Sequence, residues 1–156
     1  MKIREAQLQD LPDIKSLLPL LVAFDVPEGR KSGDFWEGDF LFYSDLLEKK
    51  RADGFALVAQ KDRLIIATSL VSFRKELLNS EPSSHLEVIV VHPDYHGTGL
   101  GAELLHKTEL KAKASGAACM TLHAYSENFR ARAFYDKHNY TGEFIRYRKV
   151  FDKFKA

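Results

Sequence analysis

The sequence predicts one α/β domain spanning residues 1–156, with a mixed central β-sheet and helices on both faces. Three observations lead to this prediction. Apolar segments rich in β-branched residues occur along the chain together with segments in which apolar residues recur at helical spacing. A hydrophobic content of 45% suits a soluble globular chain of 156 residues, which can bury its own core. No linker-like or repetitive segment divides the chain, so a single domain is expected.

At the N-terminus, residues 2–6 are predicted to form a short strand. Residues 11–21 have apolar side chains at helical spacing, and Asp10 is placed to cap this helix. Pro19 is expected to kink or end it, because proline cannot donate a backbone hydrogen bond. Glycines and prolines predict a loop over residues 24–39.

The middle of the chain is predicted to hold a helix, a hairpin and a further strand. Residues 40–51 have helical character that stops near Gly54. Two apolar segments, residues 55–60 and 64–73, are separated by three polar residues, which favours a β-hairpin. A polar connection leads to residues 85–91, whose β-branched side chains predict a strand.

The C-terminal part is predicted to contain two helices and two strands. Residues 99–115 form a helix, followed by Gly116 at the position of a C-cap glycine. Residues 117–123 form a strand and residues 128–138 a second helix. Residues 141–151 are predicted to form a final strand or strand pair.

A glycine-rich turn at residues 96–101, His-Gly-Thr-Gly-Leu-Gly, joins the strand at 85–91 to the helix that follows. Glycine allows left-handed backbone and a close approach of a ligand. The first helical N–H groups have no intrahelical partner, and the helix dipole favours an anion there. The turn therefore predicts a diphosphate site; the alternative is a tight loop with a glycine cap. It lacks the Gly-Lys-Ser/Thr of a P-loop and the glycine spacing of a dinucleotide fingerprint.

Two motifs resemble the GNAT superfamily of acetyl-CoA-dependent N-acetyltransferases. His96-x-x-Gly99-x-Gly101 is similar to the family's Arg/Gln-x-x-Gly-x-Gly/Ala, with histidine at the first position. The segment 128–140, Asn-x-x-Ala-x-x-Phe-Tyr-x-x-x-Asn-Tyr, is similar to a later family motif that has Gly-Phe at its end. Asparagine is the next-best residue to glycine for a left-handed turn. On this resemblance the chain is identified as a member of the superfamily, with the GNAT fold.

The resemblance implies acetyl-CoA as co-substrate. Its pantetheine arm is expected to pair with backbone groups of Val90 and Val91 like an added strand. The other expected cofactor-binding residues are His96, Gly97, Thr98, Gly99, Leu100, Gly101, Asn128 and Tyr135. Asn128 would orient the pantetheine or the tyrosine's loop; the alternative is a simple helix cap.

The resemblance also implies a catalytic pair and an acceptor site. Glu87 is expected to act as the general base; the alternative is that it pairs with a cation across the sheet. Tyr135 is expected to protonate the leaving thiolate; the alternative is that it is a core aromatic residue. The loop before residue 40 would line the acceptor site, where Asp25, Trp36 and Glu37 suit a cation. A solvated acidic loop is the alternative.

The predicted reaction is transfer of the acetyl group to a primary amine of a small molecule, by direct attack on the thioester. Acetylation of a protein N-terminus or lysine, and a non-catalytic acyl-CoA-binding module, are the alternatives. The family often dimerises through late strands, so the apolar segment Tyr147–Phe151 suggests a homodimer.

Composition excludes several other classes of function. The formal net charge of +1 argues against nucleic-acid binding, and no apolar run is long enough to span a membrane. The single cysteine, Cys119, allows no intrachain disulfide, which fits a cytoplasmic protein. None of the 6 histidines has zinc-ligand spacing, so no metal is expected.

Overall fold

The computed structural model describes residues 1–152. Among these residues, five strands form one sheet in the order β1-β2-β3-β4-β5. Neighbouring strands are antiparallel except for β4 and β5, which are parallel, so the sheet is mixed. The strands are β1 (Lys2–Glu5), β2 (Gly54–Lys61), β3 (Leu64–Lys75), β4 (Pro82–Val91) and β5 (Cys119–Leu122).

In the described part of the chain, four α-helices accompany the sheet: α1 (Leu11–Leu17), α2 (Glu37–Leu47), α3 (Leu100–Ala114) and α4 (Phe129–Lys137). Short 3-10 turns cover Leu8–Asp10, Leu18–Leu21, Ser32–Phe35 and Pro93–Tyr95. Pro19 lies in the turn that ends α1, as its backbone chemistry predicts. None of the helices among residues 1–152 is long and apolar enough to cross a membrane.

The sheet has a hydrophobic core on each face, which confirms the predicted architecture. On one face, Leu100, Leu104 and Leu105 of α3 pack against side chains of β2 and β3. On the other face, Ile14 of α1 and Tyr43 of α2 pack against β2, β3 and β4. Tyr43 is fully buried, and its hydroxyl lies 2.9 Å from that of Thr68 on β3, which fixes α2 over the centre of the sheet.

A β-bulge in β4 decides where Glu87 points. The register pairs Leu70 with Val88 and Val71 with Leu86, so Glu87 is an extra residue opposite β3. Val88 packs into the core under α1 and α2, whereas Leu86 packs on the α3 side. The Glu87 carboxylate also lies on the α2 side. A bulge re-aims a side chain in this way and locally increases the twist of the strand.

The strands β4 and β5 separate beyond the bulge. Their pairing covers only Ser83–Leu86 with Cys119–Leu122. From Glu87 onwards, β4 is paired with β3 on one edge and has no strand on its other edge among residues 1–152. The sheet therefore opens into a cleft at the C-terminal end of β4, with unpaired strand backbone along one side.

The helix α2 begins earlier than its predicted start at residue 40. Glu37 and Asp39 lie in its first turn, where acidic side chains interact favourably with the helix dipole. Gly38 does not end the helix there, because a residue in the first turn has no intrahelical N–H bond to lose. Part of the predicted loop at 24–39 is therefore helical, including the 3-10 turn at Ser32–Phe35.

The expected helix cap at Asp10 is wrong in its chemistry. Asp10 directly precedes α1, but its carboxylate makes no capping bond to that helix. It accepts hydrogen bonds from both terminal nitrogens of Arg4, at 2.7 and 2.9 Å, and from the N–H of Gln7 at 2.7 Å. The carboxylate pairs with the guanidinium on β1 because a two-point bond between opposite charges is stronger than a single bond to a backbone N–H.

The predicted strand or strand pair at residues 141–151 is wrong. These residues form no strand and add nothing to the sheet. Tyr147 is 89% exposed and Ile145 78% exposed, so apolar side chains alone do not make a strand when no edge pairs with them. The segment instead runs past the loop at Gly29, where Val150 would lie 3.0 Å from an added Cβ.

Candidate active site

A cavity of about 120 Å³ lies in the cleft where β4 and β5 separate. Its walls come from the end of β4, the connection after β5, and α4. Five side chains with polar groups line it: Glu87, His123, Tyr125, Asn128 and Tyr135. The structure therefore brings together both residues that the sequence predicts as catalytic.

Two donors on β3 anchor the Glu87 carboxylate. Its Oε1 accepts a hydrogen bond from the Ser72 hydroxyl at 2.7 Å and an ion-paired one from the Arg74 guanidinium. The Glu87 side chain is 20% exposed, and its Oε2 has no hydrogen-bond donor among residues 1–152. Glu87 is thus paired with a cation across the sheet, while one oxygen remains available to the cavity.

Asp39 places a second carboxyl group near Glu87. It lies on α2 one turn before Tyr43, on the face that packs on the sheet. Burial, and then the negative charge of Glu87, raise the pKa of Asp39 to about 7. Like charges and low solvation both disfavour its ionised form. Two carboxyl groups therefore lie close together on the α2 side of the sheet, and Arg74 compensates the charge of one of them.

Tyr135 lies on α4 at the opposite wall of the cavity. Its ring is held between Phe134, at a centroid distance of 5.5 Å, and Tyr140, at 5.7 Å. Burial raises the pKa of Tyr135 to about 12, because the phenolate would lose its hydration. The phenol consequently stays protonated at neutral pH and can donate a proton or a hydrogen bond into the cavity.

Asn128 forms a helix cap, which was the alternative to a role in orienting the pantetheine. Its side-chain oxygen accepts a hydrogen bond from the Ala131 N–H at 3.2 Å and caps α4. Because an amide has two further donors, the same side chain can still present N–H groups to the cavity that it lines.

The glycine-rich turn has the geometry of an anion cradle. Gly97 and Gly99 have φ values of +75° and +86°, a left-handed conformation that side chains rarely adopt. A Cβ built on either glycine would meet no atom within 4 Å, so the turn faces open space. Among residues 1–152, the N–H groups of Gly97, Thr98 and Gly101 have no hydrogen-bond acceptor. These N–H groups and the N-terminus of α3 fit the phosphates of acetyl-CoA.

His96, the first residue of the motif, contacts the end of β4. Its Nε2 donates to the carbonyl oxygen of Val91, at 2.8 Å. The His96 ring therefore folds back on the end of β4 and stabilises the turn. Leu100, also expected among the cofactor-binding residues, is 2% exposed, so its side chain belongs to the core under α3.

The two valines at the end of β4 differ in the direction of their backbone groups. The N–H of His92 bonds to the Ile66 carbonyl on β3 at 2.8 Å. Hydrogen-bonded and non-hydrogen-bonded pairs alternate along an antiparallel ladder. The backbone of Val90 therefore hydrogen-bonds to β3, whereas the N–H and carbonyl of Val91 point to the open edge of β4. The side chains of both valines pack in the sheet's two cores.

The structure places none of the three expected acceptor residues on the cavity wall. Asp25 and Glu37 are exposed, and Trp36 packs against the core under α1 and α2. The same region of the chain instead supplies Phe24 and Phe35, which form an aromatic cluster with Tyr125. The ring centroids are 4.6 Å apart for Phe35 and Tyr125 and 5.3 Å apart for Phe24 and Tyr125.

Sequence reasoning did not single out Asp39 or His123 as site residues. Asp39 stood among the charged residues of the predicted loop, and its helical spacing to Tyr43 was the signal that could have found it. His123 directly follows β5, and residues after the carboxyl ends of parallel strands often line sites. Among residues 1–152, no cluster of histidine, cysteine and carboxylate side chains could hold a metal ion.

Residues 19–140 match the sequence profile of the Acetyltransferase (GNAT) family. A comparison with curated protein sequences finds no significant match. Solved structures share the fold over almost the whole chain. An aminoglycoside antibiotic 6'-N-acetyltransferase from Acinetobacter baumannii superimposes with a TM-score of 0.74 at 23% identity, covering 96% of this chain and 97% of that one.

Two further structures show the same fold. Glucosamine-6-phosphate N-acetyltransferase from Arabidopsis thaliana has a TM-score of 0.69 at 24% identity and covers 97% of this chain and 98% of its own. Ribosomal-protein-alanine N-acetyltransferase from Brucella melitensis biovar Abortus 2308 has a TM-score of 0.70 at 19% identity. That match covers 96% of this chain and 98% of its own. The profile match spans well over half of the chain and includes both sequence motifs and the whole cleft, and the chain therefore belongs to the GNAT family of acetyltransferases.

Proposed function

We propose that this protein transfers the acetyl group of acetyl-CoA to a primary amine of a small molecule. The observation that carries the proposal is the single small cavity shared by Glu87 and Tyr135, at the open edge of β4. The glycine-rich turn is next to it, since a Cβ on Gly101 would lie 3.6 Å from Phe134 and 3.7 Å from Val91. The proximity of the glycine-rich turn, the unpaired edge of β4 and the cavity with Glu87 and Tyr135 supports the proposal.

Bound acetyl-CoA would supply an activated acyl group as a thioester. The N–H groups of the glycine-rich turn would hold the phosphates. Val91 would face the pantetheine amides with a free N–H and a carbonyl that already accepts one hydrogen bond from His96. The Val91 N–H would also polarise the acyl oxygen during attack. These roles use backbone atoms, which is consistent with the near-neutral charge of the chain.

The side chains of the cavity would move the protons. An alkyl ammonium has a pKa near 10.4 and must lose a proton before its nitrogen can attack. Glu87, which lines the cavity with its free Oε2, would attract this cation and accept its proton, directly or through water. Tyr135, protonated at neutral pH, would donate to the sulfur as the thiolate leaves.

The aromatic wall favours a small acceptor. Phe24, Phe35 and Tyr125 close one side of a cavity of only about 120 Å³, and aromatic faces attract cations. Aminoglycosides and glucosamine 6-phosphate, named for two structural neighbours, are amines carried on sugars. We therefore take amino sugars and simple polyamines as the first acceptors to test.

The decisive experiment measures release of free CoA from acetyl-CoA against a panel of amines and peptides. Release with amino sugars or polyamines, and none with peptides, is the expected result. Release with peptide N-termini or lysines alone would identify a protein acetyltransferase instead. Binding of acetyl-CoA without turnover of any acceptor would favour a non-catalytic acyl-CoA-binding module.

Acetyl-CoA is expected to stabilise the fold. A ligand that binds only the native state contributes about 2.7 kcal/mol at 100 times its dissociation constant. For a chain of this size, that raises the melting temperature by roughly 5–10 °C. A thermal melt with and without acetyl-CoA measures the shift, and desulfo-CoA should act nearly as well because it keeps the pyrophosphate. An unchanged melt in millimolar CoA would overturn the cofactor assignment.

We also propose a homodimer in which the C-terminal segment contributes to the interface. Phe144, Tyr147 and Phe151 are 61%, 89% and 65% exposed, and a monomer rarely leaves such a group of apolar side chains in water. Light scattering should give twice the chain mass of 17.8 kDa. Tyr147→Ser should shift the equilibrium toward the monomer, and a wild-type mass of 17.8 kDa at working concentration would contradict the proposal.

A further inference from the structure

We propose that His123 is a second general base of this site, able to take the acceptor's proton as well as Glu87. The inference rests on the proposed acetyl transfer and adds a catalytic group to it. His123 follows the last residue of β5, where the chain leaves the sheet. Its side chain lines the same cavity as Glu87 and Tyr135.

The ring nitrogens of His123 are not used by the fold. Among residues 1–152, four other histidines have hydrogen-bond partners: His85 with Thr121, His92 with Asp94, His96 with Val91 and His138 with Phe134. The His123 ring makes no hydrogen bond to any of residues 1–152. It packs against the ring of His85, at a centroid distance of 4.7 Å. A free imidazole lone pair in the cavity can therefore accept a proton.

The charges around His123 permit it to become an imidazolium. His85 is its nearest titratable neighbour; burial, the largest effect, lowers the pKa of His85 to about 4. His85 is consequently neutral at pH 7 and does not repel a second positive ring. Glu87 on β4 contributes a negative charge in the cavity, and Arg74 on β3 is already paired with it. From α4, Tyr135 faces the cavity as an uncharged phenol.

Asp39 on α2 is a further titratable group near Glu87, and Tyr125 adds a second phenol to the cavity wall. Burial and the charge of Glu87 raise the pKa of Asp39 to about 7, so it adds part of a negative charge at neutral pH. A negative charge on Asp39 would attract an imidazolium at His123. No uncompensated cation among the described residues faces the cavity wall on which His123 lies.

The proton and the electron pairs balance in this route. The ammonium gives one proton to the lone pair of the His123 imidazole, and the freed amine attacks the thioester carbon. The new C–N bond forms as the C–S bond breaks, and the thiolate takes the Tyr135 proton. The tyrosinate then takes the second proton from the nitrogen, directly or through water, which leaves a neutral amide and restores the phenol. His123 is exposed to solvent, so the imidazolium can release its proton there after each turnover. Near neutral pH, an imidazole group in general both accepts and releases protons more readily than a carboxylate does.

The test compares Glu87→Gln, His123→Gln and the double variant in kcat/KM for an accepted amine. Because each single variant keeps one base, we expect a loss of about tenfold or less from each at pH 7. The double variant should lose about 10²–10⁴-fold, the usual contribution of a general base. In the double variant, the rate should fall well below that of either single variant, because no base remains in the cavity.

Exogenous imidazole provides a readout that a structural role would not give. In Glu87→Gln combined with His123→Ala, added imidazole should restore part of the rate, because the lost side chain leaves space in the cavity. His106→Gln is the matched control, since His106 is an exposed histidine on α3 away from the cavity. It should match wild type at every pH.

Two failures are distinguishable. If the wild-type protein releases no CoA with any amine, the proposed function itself fails. If wild type is active, the double variant binds CoA and melts like wild type, and its rate equals that of Glu87→Gln at every pH, then His123 is not a base and the inference is wrong.

Discussion

Replacing Gly99 with valine is expected to abolish CoA binding while the protein remains folded. Gly99 has a φ of +86°, where a β-branched residue is strained, and its Cβ would project into the open space of the cradle. Loss of two hydrogen bonds to the phosphates, each worth roughly 1.5–3 kcal/mol, weakens binding by about 100-fold or more. Calorimetric titration with CoA measures the change.

Gly116→Val is the matched control for this prediction. Gly116 lies at the other end of the same helix, with a φ of +98° and no atom within 4 Å of an added Cβ. The valine there imposes a similar backbone strain without approaching the cradle, so the melting temperature should fall while CoA affinity is kept. If Gly99→Val binds CoA as tightly as Gly116→Val does, the phosphates lie elsewhere.

Tyr135→Phe is expected to lower kcat by about 10²–10⁴-fold, the usual effect of losing a general acid. The substitution keeps the ring between Phe134 and Tyr140, so packing and the KM for acetyl-CoA should be almost unchanged. The loss falls on kcat because the proton is needed only as the thiolate departs. Steady-state kinetics with saturating acceptor separate the two parameters.

The pH dependence of this variant follows from the raised pKa of the tyrosine. A phenol with a pKa of about 12 is protonated at every pH below about 11, so the wild-type acid is present throughout an assay from pH 6 to 10. The ratio of wild-type to variant kcat should therefore be constant over that range. A ratio that varies strongly with pH would show that another group protonates the sulfur.

Tyr140→Phe serves as the control for the phenol. Tyr140 is a neighbouring tyrosine whose hydroxyl donates to Glu109 at 2.7 Å and points away from the cavity wall. Removing that hydroxyl affects packing around α3 and α4 but should leave kcat close to wild type. Full activity in Tyr135→Phe across the pH range would mean that water protonates the leaving thiolate.

Local signals in the chain were sufficient for most of the fold. The hairpin of β2 and β3 follows from two apolar segments and a short polar link, and Gly116 ends α3 as a C-cap glycine. The turn at residues 96–101 could also be found from the sequence, because its three glycines stand between a strand and a helix. Hairpins, helix caps and glycine turns depend on residues that are close together in the chain, so a single sequence is enough to predict them.

Other features depended on partners far away in the chain. The segment 141–151 has strand-like composition, but the described sheet offers it no pairing, so propensity alone misled the prediction. Asp25, Trp36 and Glu37 had suitable chemistry, yet Asp25 and Glu37 are exposed and Trp36 packs against the core, so none of them lines the cavity. Phe24 and Phe35 face the cavity in their place, because they pack on Tyr125 from another part of the chain.

By itself the sequence determined the family, the order of most elements and the two residues proposed as base and acid, since motifs and periodicities are local. Tertiary structure decided how these residues meet. The bulge at Glu87 depends on the register of β3 against β4, and the cleft depends on the early end of the β4–β5 pairing. The partnership of Glu87 with Arg74 and the presence of His123 in the same cavity follow from that geometry. Register and strand separation result from packing on both faces of the sheet at once, and no local pattern in the chain encodes them.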